Sequence, residues 1–512
     1  MGLIGSRVLR CWEPDSVDLL QQEYSARPSS HISGSHKRKE SSEHDLRPTC
    51  DSHRSENQEE YPQEFLSTSD GKRVKITSEY AYEKLFLNGE NSDIKISALG
   101  KVWCLHKIYL CHSGYFANMF GGSSKELHKN MIELDINDKN IDVQSLHFVL
   151  GSLYRDECIF MEPFKVPNVL ATAFLLQVEN LIKQCIETMK TTINATTVCG
   201  YFAAAETYGL DSVRAECFEW LLHNLMTHPC VELYKEIGLE LMNLLISSPD
   251  LLVMQVEIDI YTMLKQWMFL HLNPAWKGSM KELLANANNW FSRNRECIGN
   301  ITFLDTEEGI TFKPVFKNLR FQHIFCGLSA IRVIEQDFLI PSEWLSSVYK
   351  QQWFTFLKAR RYGEIGPRDI NETEFERYSM RCGKKIIKDG RYIWKWSGYN
   401  FGFPLHVIFT SHCIIFKQNT CNQLREVYST LQPLRNIAFR LTLVSFDVTG
   451  RLSFSKTTGY KILTLKNDEE RVIMKLDSIP LSFPLYIFCN FLFISLENTK
   501  NCQSCTLDNI NT

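Results

Sequence analysis

The segment from Ser92 to Phe120 constrains the fold of this chain more than any other stretch of its 512 residues. Alternating apolar residues on either side of Gly100 predict two short strands joined by a turn, the second ending near His106. Beyond His106 the apolar residues recur at steps of three and four, which predicts an amphipathic helix with one buried face. The residues on that face are Leu110, Tyr115, Phe116, Met119 and Phe120.

The order of residues in this segment resembles the core of a BTB (POZ) domain. Ser92-Asp93 would open its first strand, and His106-Lys107 would enter its helix. The resemblance implies a protein-interaction module without an active site. The expected BTB core residues are Asp93, His106, Tyr115, Phe116 and Phe120.

Changes of composition along the chain predict a multidomain α+β protein. The N-terminal residues are rich in Ser, Glu, His, Arg and Lys, a composition typical of disorder. The block after the BTB domain is helical and resembles a BACK domain. The expected segments are a disordered tail (1–76), a BTB (POZ) domain (77–190), a BACK-like helical domain (191–300), a helical linker region (301–375), a β-rich sandwich-like domain (376–498) and a polar tail (499–512).

Local patterns support the helical and β-rich assignments. Val256–Trp267 has the acidic start, the aromatic residue and the closing Trp of a BACK helix, and Pro341–Phe354 predicts a capped helix. Alternation in Tyr392–Trp396 and Ile437–Leu443 predicts strands. The Thr-Gly pairs ending at Gly450 and Gly459 predict turns between strands, as expected for a β-sandwich.

The apolar run from Pro480 to Leu496 is the segment most easily mistaken for a membrane span. It is shorter than the roughly 20 residues that cross a bilayer, and Pro484 and Asn490 interrupt it. Its aromatic and β-branched residues are typical of a buried strand. We therefore expect a strand rather than a membrane span.

Composition and motifs argue against several function classes. A net charge of −3 gives no basic surface for direct nucleic-acid binding, and 17 cysteines without a pairing pattern indicate reduced thiols. Cys104, His106, Cys111 and His112 could form a zinc site, but their spacing favours a BTB core histidine and small apolar cysteines. No phosphate loop, Gly-x-Ser-x-Gly elbow or His-Glu-x-x-His motif occurs, so neither an enzyme nor a cofactor is expected.

Four further segments resemble the germ cell-less family: Phe86–Ile96, Glu343–Trp353, Met380–Lys385 and Asn400–Pro404. The chain has no repeated Gly-Gly…Trp unit of a kelch propeller and no zinc-finger pattern. The resemblance covers roughly 77–496. It implies a substrate-recognition adaptor of a cullin-3 ubiquitin ligase that acts in germ cells or spermatogenesis. It also implies residence in the nuclear matrix or envelope, with a cytoplasmic fraction and nuclear-envelope proteins as partners.

Two surfaces of the BTB domain follow from this resemblance. Cullin-binding BTB domains carry a hydrophobic-x-Glu triplet after the Phe120 helix, which here is Ser124-Lys125-Glu126. Ser124 lacks the large apolar side chain that fills a pocket on cullin, so we expect weakened cullin binding. The helix before the core carries Tyr82, Leu85 and Phe86 and is expected to pack against a second protomer in a homodimer.

The N-terminal tail carries two short signals. Met1-Gly2-Leu3-Ile4-Gly5-Ser6 matches the myristoylation pattern, although one acyl chain binds membranes only marginally. Two basic runs are candidates for nuclear import, with solvated charge as the alternative interpretation. Their residues are Lys37, Arg38, Lys39, Lys72, Arg73 and Lys75.

Three function classes remain open from the sequence. In the first, an adaptor, the BTB domain dimerises and recruits cullin-3 while the C-terminal β domain holds the protein substrate. In the second, a nuclear-envelope scaffold or transcriptional co-repressor, the BTB dimer bridges partners without a ligase, and Ser124 favours this class. In the third, an enzyme, a catalytic group would lie in the β domain, and no residues at catalytic spacing support it.

Overall fold

The computed structural model describes two compact units. The N-terminal unit contains the described residues up to Asn137 and those from His147 to Arg155, and the C-terminal unit contains the others. The described residues are 78–121, 130–155, 160–325, 327–362, 364–397, 404–418, 434–466, 468–476 and 481–495.

The N-terminal unit is a three-stranded sheet packed with helices, in the order expected for a BTB domain. The elements are α1 (Ala81–Leu87, a π-helix), β1 (Ile94–Ala98), β2 (Lys101–Leu105), α2 (Lys107–Leu110), α3 (Gly114–Gly121), β3 (Met131–Glu133) and the part of α4 (Val143–Ser152) from His147 onward. Strand β1 pairs antiparallel with β2 and parallel with β3, so the order is β2-β1-β3. The predicted strand-turn-strand arrangement is confirmed, but the single helix expected after His106 is wrong: residues 111–113 separate α2 from α3. The helix breaks there because the Ser113 hydroxyl accepts from the Phe116 N–H and so caps the start of α3.

The core of the N-terminal unit comes from the apolar face of each element. Ile96 and Leu105 on the sheet, Leu110 on α2 and Phe116 on α3 have no exposed surface. On β1 the buried residues alternate with more exposed ones, as the sequence pattern predicts, whereas Leu110 and Phe116 come from two different helices.

The C-terminal unit begins with a helical region. On its helix α11 (Glu257–Leu272), Trp267 is fully buried and its indole N–H donates to the Ile237 carbonyl at 2.9 Å. The helices are α5 (Val166–Leu176), α6 (Glu179–Thr191), α7 (Val198–Thr207), α8 (Asp211–Asn224), α9 (Val231–Glu236), α10 (Leu239–Ser247), α11 (Glu257–Leu272), α12 (Met280–Ile298), α13 (Lys313–Phe316), α14 (Phe321–Ile324), α15 (Leu328–Asp337), α16 (Ser342–Tyr362) and α17 (Glu372–Tyr378). The predicted helix after Pro341 is present and runs further, to Tyr362.

Two antiparallel sheets follow the helices and enclose one apolar core. Their strands are β4 (Met380–Ile386), β5 (Tyr392–Ser397), β6 (Pro404–Phe409), β7 (Cys413–Lys417), β8 (Leu434–Phe446), β9 (Leu452–Thr457), β10 (Lys461–Lys466), β11 (Glu470–Lys475) and β12 (Leu485–Ile494). The first sheet has the order β10-β8-β12-β4, with β9 also paired to β8, and the second has the order β11-β7-β6-β5. The β-rich C-terminal part of the predicted fold is confirmed.

Strand β12 lies in the apolar run for which the sequence predicts a strand rather than a membrane span, and this prediction is confirmed. All ten of its residues are buried, and it lies between β4 and β8 in the sheet. Among the helices that the structure describes, none has the length and apolar character needed to cross a membrane. The positive φ angles of Gly450 (80°) and Gly459 (66°) match the turns predicted there.

Candidate functional site

The N-terminal unit contains a buried polar cluster between His106 and Tyr154. The backbone N–H of His106 donates to the Tyr154 hydroxyl at 2.9 Å, and the imidazole Nδ1 lies 3.1 Å from the same oxygen. The imidazole Nε2 lies 2.8 Å from the Glu90 carbonyl, which only accepts, so Nε2 carries the proton and Nδ1 accepts from Tyr154. This network ties the start of α2 to the end of α4 and to the loop before β1.

Asp93 has a different role from the one predicted. It is exposed, and its carboxylate accepts from the backbone N–H of Lys107 at 2.9 Å, at the start of α2. A carboxylate at this position satisfies a free N–H group and favours the positive end of the helix. Asp93 is therefore a helix cap rather than a core residue.

The other predicted core residues differ in burial. Phe116 is fully buried and His106 is 8% exposed, whereas Tyr115 and Phe120 are half-buried. Phe116 and Phe120 stack at 6.0 Å between ring centroids, because they lie four residues apart on α3. Phe120 thus lies at the border of the core, at the end of α3.

Of the three residues predicted to contact a second protomer, the structure leaves two available. Phe86 is only 4% exposed and packs against His147 (4.9 Å between ring centroids) and Tyr154 (5.3 Å) of its own chain. Its side chain is committed to the core of the unit and is not available to a partner. Tyr82 and Leu85 are half-buried and remain candidates for the interface.

The C-terminal unit contains a buried ion pair where α11 meets β4. Arg381 and Glu257 are 1% and 0% exposed. The Arg381 Nε donates to Glu257 Oε1 at 2.9 Å, and an Nη donates to Oε2 at 3.1 Å. The other Nη donates to the Ile246 carbonyl at 2.8 Å and the Ser248 carbonyl at 3.0 Å. One guanidinium therefore joins α10, α11 and the β domain.

The electrostatics of this pair follow from its geometry. Burial alone raises the pKa of Glu257, but the charge and hydrogen bonds of Arg381 outweigh burial, so the pKa is lowered. The carboxylate stays ionised and the pair is a true salt bridge. Two-point contact between a planar guanidinium and a carboxylate is the strongest form of this interaction.

The backbone around this pair explains why glycine follows Cys382. The Gly383 N–H donates to the Gln255 carbonyl at 3.0 Å, and a Cβ at Gly383 would clash with the Val253 carbonyl. Only glycine allows β4 to approach the 253–257 segment this closely. Asp259 then accepts from the Val256 N–H at 3.0 Å, and burial raises the pKa of Asp259 to about 6.

Further charged groups surround this junction. Arg440 on β8 donates to Asp250 at 2.7 Å and to Glu376 at 3.1 Å. Arg320 donates to the backbone carbonyls of Ser379 and, at 2.6 Å, Glu376, and burial lowers its pKa to about 9. We name this set, together with Glu257 and Arg381, the junction cluster. Its contacts join the segment 246–257 and residue 320 of the helical region to residues 376–381 and 440, which lie on or just before the strands.

A cavity of about 290 Å³ adjoins the junction cluster. Its walls come from both the helical region and the sheet, including His223, Asp250, Arg440 and Phe488. Burial lowers the pKa of His223 to about 4, so this imidazole is neutral at neutral pH. The cavity therefore lies, like the junction cluster, between the helical region and the sheet.

No group of three or more His, Cys, Asp or Glu side chains within the described ranges could hold a metal ion. Cys104, Cys111, Cys185 and Cys217 are all free thiols. Burial raises the pKa of Cys185 and of Cys217 to about 12, which keeps both thiols protonated and unreactive.

Known proteins resemble this chain in one domain and over most of its length. The BTB/POZ domain model matches residues 82–193. Germ cell-less protein-like 2 of Mus musculus is 54% identical over 501 residues, which cover 98% of this chain and 100% of the relative. Germ cell-less protein-like 1 of Homo sapiens is 58% identical over 85% of this chain and 84% of its own length. Protein germ cell-less of Drosophila melanogaster is 34% identical over 85% and 80%. The chain belongs to the germ cell-less family.

Several residues for which the sequence predicts a role lie outside the described part of the chain. The first group is the cullin-contact triplet Ser124, Lys125 and Glu126. The second is in the N-terminal tail and consists of Gly2, Lys37, Arg38, Lys39, Lys72, Arg73 and Lys75. Their roles stay predictions.

The feature of this germ cell-less chain that sequence reasoning missed is the junction cluster. Glu257 was noted only as the acidic start of a BACK helix, and Arg381 only as part of a family motif. Neither residue stands out in its own segment, because Lys384 and Lys385 follow Arg381 closely and Asp259 follows Glu257. The partner lies 124 residues away, and no local pattern names it.

Proposed function

We propose that this chain is a substrate-specific adaptor of a cullin-3 ubiquitin ligase. In this proposal the BTB domain forms a homodimer and recruits cullin-3, and the C-terminal β domain holds a protein substrate. Other subunits of the ligase transfer ubiquitin, so the chain itself needs no catalytic group. We also place the protein in the nucleus, at the matrix or envelope, and in germ cells during spermatogenesis, as the family resemblance implies.

The observation that carries this proposal is the combination of two modules in one chain. A BTB domain is a protein-interaction module, and the matched relatives share both this domain and most of the remaining length. The C-terminal unit adds a β domain that the junction cluster fixes to the helical region through Arg381 and Glu257. A rigidly mounted domain suits the task of presenting a bound protein in one orientation.

The triplet Ser124-Lys125-Glu126 decides between strong and weak recruitment of cullin. Burying one large apolar side chain stabilises a contact by about 1.5–3 kcal/mol, and Ser124 cannot supply this. The resulting complex should be weaker by at least about tenfold, since each 1.4 kcal/mol corresponds to a factor of about ten.

Calorimetry with the purified amino-terminal domain of cullin-3 tests the adaptor role. We expect weak binding by the unmodified chain and tighter binding by the Ser124→Met variant. Glu126→Ala in the Ser124→Met background should weaken the complex again, since the glutamate supports the loop that presents the anchor. Absence of binding by all three proteins would reject the adaptor proposal.

The second candidate function is a scaffold or co-repressor that no longer binds cullin, and Ser124 is the observation that favours it. In this case the BTB dimer bridges nuclear-envelope or chromatin-associated proteins. Homodimers in light scattering, together with no cullin binding by the Ser124→Met variant, would support the scaffold over the adaptor.

A further inference from the structure

The C-terminal half of α16 leaves four large apolar side chains in solvent. Trp353 is 60% exposed, Phe354 52%, Leu357 40% and Tyr362 59%. Single exposed apolar residues are ordinary, but several on consecutive turns of one helix form a continuous patch of the kind that marks an interaction site.

The opposite side of α16 is anchored, so the exposed side has a fixed orientation. Tyr349 packs against Phe325 at 5.2 Å between ring centroids, and the Gln352 side chain donates to the Phe325 carbonyl at 3.3 Å. Ala359, two turns later, is 2% exposed. The helix therefore turns one face to the C-terminal unit and the other to solvent.

Cationic side chains lie among the exposed apolar ones. Lys350, Lys358 and Arg361 are exposed. Residues three, four or seven positions apart lie on one side of a helix, so Lys350 and Arg361 lie beside Leu357. By the same spacing Lys358 lies beside Phe354 and Arg361. The sequence from Trp344 to Tyr362 contains no Asp or Glu. We name the outward residues Lys350, Trp353, Phe354, Leu357, Lys358, Arg361 and Tyr362 the α16 face.

We propose that the α16 face docks on an anionic lipid surface. Trp and Tyr are enriched at the level of lipid headgroups, and Lys and Arg next to them are attracted by anionic lipids. A face shared by cations and bulky apolar side chains is the pattern of a helix that lies in the membrane interface. The cores of protein–protein interfaces are depleted of Lys, which makes an acidic protein segment the less suitable occupant.

The N-terminal Gly2 pattern, which lies outside the described residues, is a reason to expect a second membrane-binding surface on this chain. The Gly2 pattern predicts one myristoyl chain, and one chain gives only marginal, reversible membrane binding. Stable binding takes a second signal, either another acyl chain or a basic patch. The α16 face is a basic and apolar patch of this kind, and it should bind weakly even without acylation.

Flotation with lipid vesicles tests this proposal on the full chain, prepared without an N-myristoyltransferase so that Gly2 is unmodified. We expect binding to vesicles of phosphatidylcholine mixed with phosphatidylserine, and much weaker binding to phosphatidylcholine alone. The variant Lys350→Gln/Lys358→Gln/Arg361→Gln should bind on the order of 100-fold less, because three cations near the anionic surface are lost. Trp353→Ser/Phe354→Ser should also reduce binding.

The matched control is Ile387→Ser/Ile393→Ser, which removes two apolar side chains that are 73% and 61% exposed elsewhere on the same unit. This variant should bind as the unmodified chain does. All variants are first compared by circular dichroism and thermal unfolding, so that a loss of fold is not taken for a loss of binding.

Three outcomes would overturn the proposal. The first is no binding of the correctly folded chain to either vesicle, which would favour a protein as the occupant. The second is equal binding to both vesicles, which would show that anionic lipid is not recognised. The third is binding that the α16 variants leave unchanged, which would assign the contact to another surface.

Discussion

The two units of this chain bury polar groups in opposite ways. In the N-terminal unit, His106 and Tyr154 form a neutral network in which each donor meets one acceptor. In the C-terminal unit, Arg381 and Glu257 form an ionised pair with almost no exposed surface. The first kind of cluster costs little to desolvate, whereas the second is costly unless both charges and their hydrogen bonds are in place.

This difference shows where each unit tolerates change. A neutral network loses one or two hydrogen bonds when a member is replaced. When one member of the ion pair is replaced, the other charge stays buried without an opposite charge to offset the cost of removing it from water. We therefore expect the helical region and the β domain to fail together when the junction cluster is broken.

The largest effect is expected from Glu257→Leu. It leaves the Arg381 guanidinium buried without a counter-charge, which should lower the free energy of unfolding by about 3–5 kcal/mol. Urea unfolding followed by circular dichroism measures this change. The double variant Glu257→Leu/Arg381→Leu should recover much of the loss, since both charges are then absent. A single variant as stable as the unmodified chain would disprove the role of the pair.

Tyr154→Phe tests the polar network of the N-terminal unit in the same way as Glu257→Leu tests the ion pair of the C-terminal unit. The change removes the hydroxyl that accepts from the His106 N–H and donates to the imidazole, so two buried groups lose their partner. At about 1 kcal/mol or more for each unsatisfied group, the free energy of unfolding should fall by about 2 kcal/mol or more. The control is Tyr109→Phe, which keeps the stacked ring (4.3 Å from Tyr154) and should change stability by less than about 0.5 kcal/mol.

Acid should weaken the C-terminal unit through His323. Burial lowers the pKa of His323 to about 4, below the ordinary 6.5. Between these two pH values the unfolded chain binds a proton at His323 and the folded chain does not. The stability from this group is complete above pH 6.5 and is lost as the pH falls toward 4. Asp259, with its pKa raised to about 6, acts in the opposite direction.

The measurement is urea unfolding at about pH 7 and about pH 5 for the unmodified chain and for His323→Gln. Because each pH unit below the unfolded pKa is worth about 1.4 kcal/mol, the variant should lose about 2 kcal/mol less than the unmodified chain. Equal pH dependence of the two proteins would show that His323 does not titrate as proposed.

The smallest effect is expected at Asp93. Replacing it by Ala removes the cap of α2 and should lower the free energy of unfolding by about 1 kcal/mol. Asp93→Asn should retain most of the stability, since an amide oxygen also accepts from the Lys107 N–H. Thermal unfolding of both variants distinguishes two roles of Asp93. If Asp93 acts as a cap, Asn retains the stability; if its negative charge is what matters, Asn is as unstable as Ala.

The sequence predicted the parts of this fold that local patterns control. The alternation around Gly100, the three- and four-residue spacing after His106 and the turns at Gly450 and Gly459 all correspond to elements of the structure. These features depend on neighbours within a few residues, and a periodicity is enough to reveal them.

The sequence did not reveal contacts between distant segments. It placed Phe86 at a partner surface, because an apolar helix face shows that a residue is buried but not against what. It likewise did not show that Glu257 and Arg381 are partners, since nothing in either segment specifies how α11 and β4 meet. Of the predicted BTB core, Phe116 was identified by spacing, while the capping role of Asp93 needed the coordinates.

Strand β12 also determines the order in which the β domain can be completed. It pairs with β4 on one side and β8 on the other, and both of those strands are synthesised before it. Until Leu485–Ile494 leaves the ribosome, β4 and β8 expose unpaired edges and apolar faces, which are prone to pair with other chains. A growing chain of this protein therefore depends on protection from aggregation until its last strand is inserted between the two.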